Sequence, residues 1–145
     1  MKTPAIRPIA IGIFRRGDQI LVGHANDVAK GEHYCRPPGG GIEFGEKAAD
    51  ALRREIREET HAEVGELRQV AVLENLFDLE GQPRQEIIFV FEATFQDPAL
   101  YQQDAIVLHE PGWDGSLRWE QMATFRDGTL PLYPDGLLEL LEPPV

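Results

Sequence analysis

The chain has 145 residues, 42% of them hydrophobic and 27% charged, with a formal net charge of -11. That length supports one domain with a real core, so residues 1–145 are read as a single domain. The acidic balance argues against a nucleic-acid polymer or an anionic membrane surface as partner, and an anionic substrate would need a cation to bridge it.

Along the chain, Ile9 to Phe14 and Gln19 to Val22 read as strands joined by the turn Arg15–Asp18. The polar run "NDVAKGEH" at 26–33 reads as a loop, followed by a short strand at Tyr34–Arg36. "PPGGG", Pro37 to Gly41, is predicted to have no regular structure, because its prolines lack a donor and its glycines a side chain. Glu46 to Thr60 has helical composition, with Gly45 placed to cap its start. Leu67–Asp78 and Gln85–Phe95 read as a hairpin across the turn "EGQP". Residues 96–116 read as irregular, Leu117–Met122 as a strand, and "YPDGLLELLE" as a closing helix with Pro134 near its first turn. Strands around a central helix, with a second helix at the end, indicate a mixed α/β domain. Cys35 cannot form an internal disulfide, no apolar run reaches transmembrane length, and "MKTPAIRPIA" has no signal-peptide core. The expectation is a cytoplasmic protein in which Cys35 is a small buried hydrophobe.

The predicted central helix carries a conflict. At about 100° per residue, Glu55, Glu58 and Glu59 share one face about 100° wide, beside the apolar stripe of Ala49, Leu52 and Ile56. Arg53, Arg57 and Asp50 fall on the far side, expected to face water, while Arg54 can pair with Glu58 at i+4. Like charges at this spacing cost about 0.2–0.5 kcal/mol each, and anions at a helix C-terminus about 0.3–1 kcal/mol more. No lysine on this face relieves them; a divalent cation would. Oxygen ligands on a rigid helix suit Mg²⁺ or Mn²⁺, which keep several waters and share coordination with substrate phosphates.

"RPPGGGIEFGE" leads directly into this helix, and its triple glycine lets backbone groups approach a phosphate or metal closely. Gly40, five residues, Glu46, seven residues, then Arg54-Glu55-Ile56-Arg57-Glu58-Glu59 resembles the Nudix box, G-x5-E-x7-R-E-U-x-E-E-x-G-U, in which U is a bulky aliphatic residue. Seven specified positions match over Gly40–Glu59. Two depart: His61 stands where the pattern has glycine, and Ala62 where it has an aliphatic.

The resemblance implies a Nudix-type α/β/α sandwich with a mixed sheet. It implies hydrolysis of a pyrophosphate bond in a nucleoside diphosphate linked to another group, a small-molecule substrate. By position, Glu55, Glu58 and Glu59 become the ligands of Mg²⁺ or Mn²⁺, and a backbone carbonyl of Gly39 or Gly40 completes the site. Glu55 also orients or deprotonates water in some relatives, Arg54 braces the acids, and Glu46 supports the loop and helix start. Gly39, Gly40, Gly41 and Arg36 are the expected substrate contacts. Glu86 and Glu110 are candidates for a general base outside the box. Phe14, Tyr34, Phe77 and Trp113 are candidate platforms for a base, and Arg7, Arg36 and Arg84 candidate holders of a phosphate or sugar acid. The downstream stretch "NLFDLEG" carries neither the proline nor the tyrosine that marks two Nudix subfamilies, so the substrate stays open.

Two other readings compete. One is a non-catalytic Nudix-like module that senses a nucleotide, although such modules commonly lose box acids. The other is an isomerase of isopentenyl diphosphate type, which shares the fold and would need Cys35 as a catalytic thiol. Hairpin edges offer surfaces through which a homodimer could form. A terminal glycine normally adopts the left-handed conformation, so His61 is predicted to cap the helix with positive φ and not to bind the metal.

Overall fold

The structure is a computed structural model and describes residues 4–109 and 115–142. Eight strands form one sheet: β1 (Ile6–Arg16), β2 (Gln19–Asp27), β3 (Glu32–Arg36), β4 (Gly39–Gly41), β5 (Val64–Leu79), β6 (Gln82–Phe95), β7 (Ala105–Val107) and β8 (Ser116–Gln121). The helices are α1 (Ala48–Thr60), α2 (Met122–Arg126) and α3 (Leu137–Leu141), with a 3₁₀ turn at Pro98–Gln102. The main strand order is β5-β6-β1-β2-β8-β7; β3 pairs with β2 and β4 with β1. Only β1 and β6 run parallel among the paired strands, so the sheet is mixed.

The side-chain alternation of β1 builds the layers. Ala10 and Phe14 turn to the cluster that holds Leu52 and Ile56 of α1, together with Val64, Phe91 and Phe95. Ile9, Ile11 and Ile13 turn the other way, onto Met122, Phe125, Leu137 and Leu141 of α2 and α3. Helices therefore cover both faces, and the fold is the expected α/β sandwich. Leu52 and Ile56 are fully buried, each contributing about 1.5–3 kcal/mol of transfer free energy.

The sheet splits in its middle. β1 and β2 pair only beside their turn, at Arg15↔Ile20 and Arg16↔Gln19. Further along, β1 takes β4 as its neighbour and β2 takes β3, so the two halves diverge. The segment "PPGGG" bridges the gap, with Gly12 donating its N–H to the Pro38 carbonyl at 2.9 Å.

Several boundaries differ from the sequence reading. Gly39–Gly41 is a strand, paired with Ile9–Ile11, because the missing side chains let it lie against β1. A Cβ on Gly39, at φ 151°, would overlap the Ala10 carbonyl. The polar run 26–33 is half strand: Asp27 pairs with Glu32 and Asn26 with His33, leaving a loop of 28–31. The stretch 96–116 contains the 3₁₀ turn and β7. Met122 opens α2 rather than ending a strand, and Pro134 precedes α3, whose N-cap is Gly136. Helix α1 starts at Ala48 with Lys47 as N-cap, so Gly45, at φ 90°, turns the loop and does not cap the helix.

His61 closes α1 at φ 62°, ψ 16°, the left-handed geometry expected of it, and donates its N–H to the Arg57 carbonyl at 2.9 Å. Its ring stacks on His109, 4.0 Å between centroids. The β5–β6 turn places Glu80 and Gly81 at positive φ, matching a two-residue hairpin. Among the described residues no helix is long and apolar enough to cross a membrane.

Gly39→Ala is expected to destabilise the fold by about 2–4 kcal/mol, because its Cβ meets backbone and its φ disfavours L side chains; urea unfolding measures this. His61→Gly is expected to stay within about 1 kcal/mol of the parent, whereas His61→Val loses about 1–2 kcal/mol in the same measurement, since a β-branched residue resists positive φ.

Candidate active site

Arg54 is the hub of the site. Its guanidinium reaches both oxygens of Glu46, at 2.7 and 2.9 Å, and donates to the Gly41 carbonyl at 3.0 Å. It also meets Glu55 at 3.0 Å and Glu58 at 3.3 Å. One cation therefore ties the start of the box, the glycine strand and two of the three acids. Part of the repulsion expected on the helix face is offset by this arginine, not only by an added ion. Hydrogen bonding from Arg54, and then from the Glu43 N–H, holds the Glu46 carboxyl down at about 2. The hydrogen bond to Glu46 in turn raises Arg54, so the guanidinium stays charged.

The three box acids do not occupy equivalent places. Glu59 is buried, Glu55 is mostly buried, and the Glu58 side chain is 58% exposed. Glu55 lies directly on the Gly40 backbone: a Cβ there would sit 2.6 and 2.7 Å from its carboxylate oxygens. Glycine at position 40 therefore clears the space that the Glu55 carboxylate fills. Glu55, Glu59 and Gly39–Gly41 line one cavity of about 390 Å³, which opens where the sheet splits. Glu58 is not among its lining residues. The Gly41 carbonyl is already engaged by Arg54, and the Gly40 backbone faces Ala10 in the β1–β4 ladder.

Among the described residues, no three His, Cys, Asp or Glu side chains stand together as a complete metal cage. Mg²⁺ is commonly held by one or two carboxylates with waters and substrate phosphates, so an all-oxygen set built on Glu55 and Glu59 suits it without such a cage.

The same cavity is lined by Arg7, His24, Tyr34 and Arg36. Arg7 and Arg36 supply positive charge beside the glycine strand. His24 lies between the predicted strand Gln19–Val22 and the predicted loop 26–33, where no sequence pattern marks it. In β2 it is fixed by Glu120 at 2.9 Å and by the His33 ring at 2.8 Å. Only strand pairing with β3 and β8 reveals this, since these partners are distant in sequence.

Other expected residues fall elsewhere. Phe14 is fully buried and stacks on Phe95 at 4.1 Å, so it is core and no base platform. Arg84 is exposed and lines neither this cavity nor its neighbour. Arg53 does not simply face water: it donates to the Val64 and Gly65 carbonyls at 2.8 and 3.1 Å, pinning α1 to β5. Glu86 is buried, 3.6 Å from Arg36, and does not line the cavity. Glu110 and Trp113 lie outside the described residues. Cys35 is fully buried, and burial pushes its thiol up to about 12. Such a thiol stays protonated and shielded, which removes the support for an isomerase using it.

A family model of the NUDIX domain matches residues 5–123 of the chain. Solved structures share the fold. A MutT NUDIX hydrolase from Burkholderia pseudomallei superposes with a TM-score of 0.65 at 20% identity, over 97% of this chain and 100% of that one. The MutT protein of Bacillus halodurans gives 0.65 at 19%, over 94% and 81%. A NUDIX hydrolase from Nitrosomonas europaea gives 0.65 at 13%, over 94% and 86%.

The Glu46 interaction has a consequence for pH. Its carboxyl is depressed in the folded state, from an ordinary value of 4.5 to about 2. The stability it contributes is therefore complete above about pH 4.5 and is lost as pH falls towards 2. Glu46→Gln is expected to remove that component and flatten the stability profile between these limits, as read by thermal melts across the acid range.

Proposed function

The chain belongs to the NUDIX family of hydrolases, and from that premise we propose that it cleaves the pyrophosphate bond of a nucleoside diphosphate linked to another group. Nucleotide sugars, dinucleotides and modified nucleoside triphosphates are the substrate types, with Mg²⁺ or Mn²⁺ as cofactor. The observation that carries this reading is the meeting of Glu55 and Glu59 with the Gly39–Gly41 backbone at one cavity that Arg7 and Arg36 also line.

Each part has a role. Arg7 and Arg36 draw the diphosphate into a protein whose overall charge would repel it. Glu55, Glu59 and a carbonyl of Gly39 or Gly40 would hold the divalent ion, with Glu58 joining through its exposed carboxylate. When bound, that ion neutralises pyrophosphate oxygens and lowers the pKa of a coordinated water. Glu55, held by Arg54 on the Gly40 backbone, orients the water and accepts its proton as the oxygen attacks phosphorus in line with the leaving group. The burial of Glu86 behind Arg36 suits a supporting role better than that of the proton acceptor.

A panel of nucleotide sugars, dinucleoside polyphosphates and oxidised nucleoside triphosphates, assayed with Mg²⁺ and with EDTA, tests the activity. Release of phosphate or nucleoside monophosphate that EDTA abolishes is the expected result; no metal-dependent turnover of any substrate would overturn the reading. Glu58→Gln and Glu59→Gln are each expected to lower kcat by at least about 100-fold, while metal-free stability holds or rises. A large loss of metal-free stability would mark these acids as structural instead.

A further inference from the structure

A second cavity, of about 100 Å³, lies behind the wall that Tyr34, Arg36 and Leu79 present to the first. It is shaped by the outer part of the β5–β6 hairpin, by β3 and by residues 133–135. Asn75 lines it and faces Glu86 directly across the hairpin; both are polar and more than nine-tenths buried, at 6% and 5% exposure. Among the described residues one oxygen of Glu86, Oε1, has no hydrogen-bond partner, and the Arg36 guanidinium approaches it only to 3.6 Å. Glu86 lines neither cavity, so the Asn75 amide is the buried polar group of this pair that a ligand in the second cavity would meet.

The surroundings define what such a ligand is. Phe77, Tyr34 and Tyr133 bring aromatic rings to the cavity; the two tyrosines meet edge to face at 5.3 Å, and Tyr133 donates to Glu32 at 2.7 Å. The rim holds Asp27, Asp78 and Asp135 against Lys30 and Arg36, a balance that disfavours a phosphate. Rings, an amide and carboxylates together suit an uncharged ring that donates hydrogen bonds.

We propose that this cavity is a specificity subsite: it takes the donor-rich neutral ring of the substrate, a sugar or a nucleobase, while the diphosphate lies on the other side of Arg36. This rests on the pyrophosphohydrolase reading of the first cavity and names what that site selects. Asn75 and Phe77 act on the ring, not on the bond that breaks.

Amide chemical-shift mapping tests it with four probes: glucose 1-phosphate, adenosine monophosphate, guanosine monophosphate, and inorganic pyrophosphate with Mg²⁺. Either the sugar phosphate or a nucleoside monophosphate is expected to shift the Asn75 side-chain amide, which decides between the two sources, while pyrophosphate leaves it in place. Asn75→Ala is expected to weaken that probe about tenfold relative to pyrophosphate. Phe77→Leu, which keeps an apolar side chain on the strand, is expected to do the same through lost ring contact and serves if Asn75→Ala does not fold. No shift from either class, an equal shift from pyrophosphate, or unchanged relative affinity in the folded variants would overturn the subsite. None of these readings requires turnover, so an inactive enzyme would overturn the hydrolase proposal alone.

Discussion

Arg54 is the interaction on which the site depends. A guanidinium carries five donors in a rigid plane, and here they serve Glu46, Glu55, Glu58 and the Gly41 carbonyl. The spacing of the box follows from this reach. Glu46 precedes the helix, Glu55 adjoins the arginine, and Glu58 lies one turn on. A lysine would keep the charge but could not satisfy so many fixed acceptors at once. The acids that give the helix its electrostatic conflict are therefore held in place by the same box that supplies them.

The second constraint is backbone contact without side chains. Gly39 lies against the Ala10 carbonyl, and Gly40 against the Glu55 carboxylate. These two approaches close the gap left where β1 and β2 diverge and bring the acidic helix to its edge. They differ in kind. The first is backbone on backbone and belongs to the fold. The second is backbone on the end of a flexible side chain and belongs to the placement of one carboxylate. Adjacent glycines in a single motif thus serve stability and chemistry separately.

Much of this was legible in the sequence, for local reasons. The box helix, the hairpin and the left-handed turn at His61 depend on periodicity, turn chemistry and end effects that act over a few residues. The box acids and Arg54 could be placed on one helix by counting. Long-range pairing was not legible. Polar residues 26–33 looked like a loop because the one buried position among them, at the end of β2, is the polar Asp27, so no apolar alternation marks the strands. The glycine strand had no pattern at all, since its strand state comes from the neighbour it touches. His24 and Asn75 could not be singled out, because their surroundings come from β8, β3 and β6. Phe14 and Arg53 show the same thing: a side chain's neighbours, not its type, decide whether it packs or reaches out.

The β5–β6 hairpin extends well past its support. Its pairing continues out to Leu79↔Gln82, whereas β1 accompanies β6 only from Gln85 onward. The outer part is therefore an arm with one strand free on each edge, anchored at its root by the central sheet. Its tip has a second anchor: Val28 donates its N–H to the Glu80 carboxylate at 3.0 Å, and the Glu80 N–H reaches Asp27 at 3.4 Å. The hairpin tip and the turn after β2 therefore move together or not at all, so a change in either is felt where Tyr34, Arg36 and Leu79 separate the two cavities.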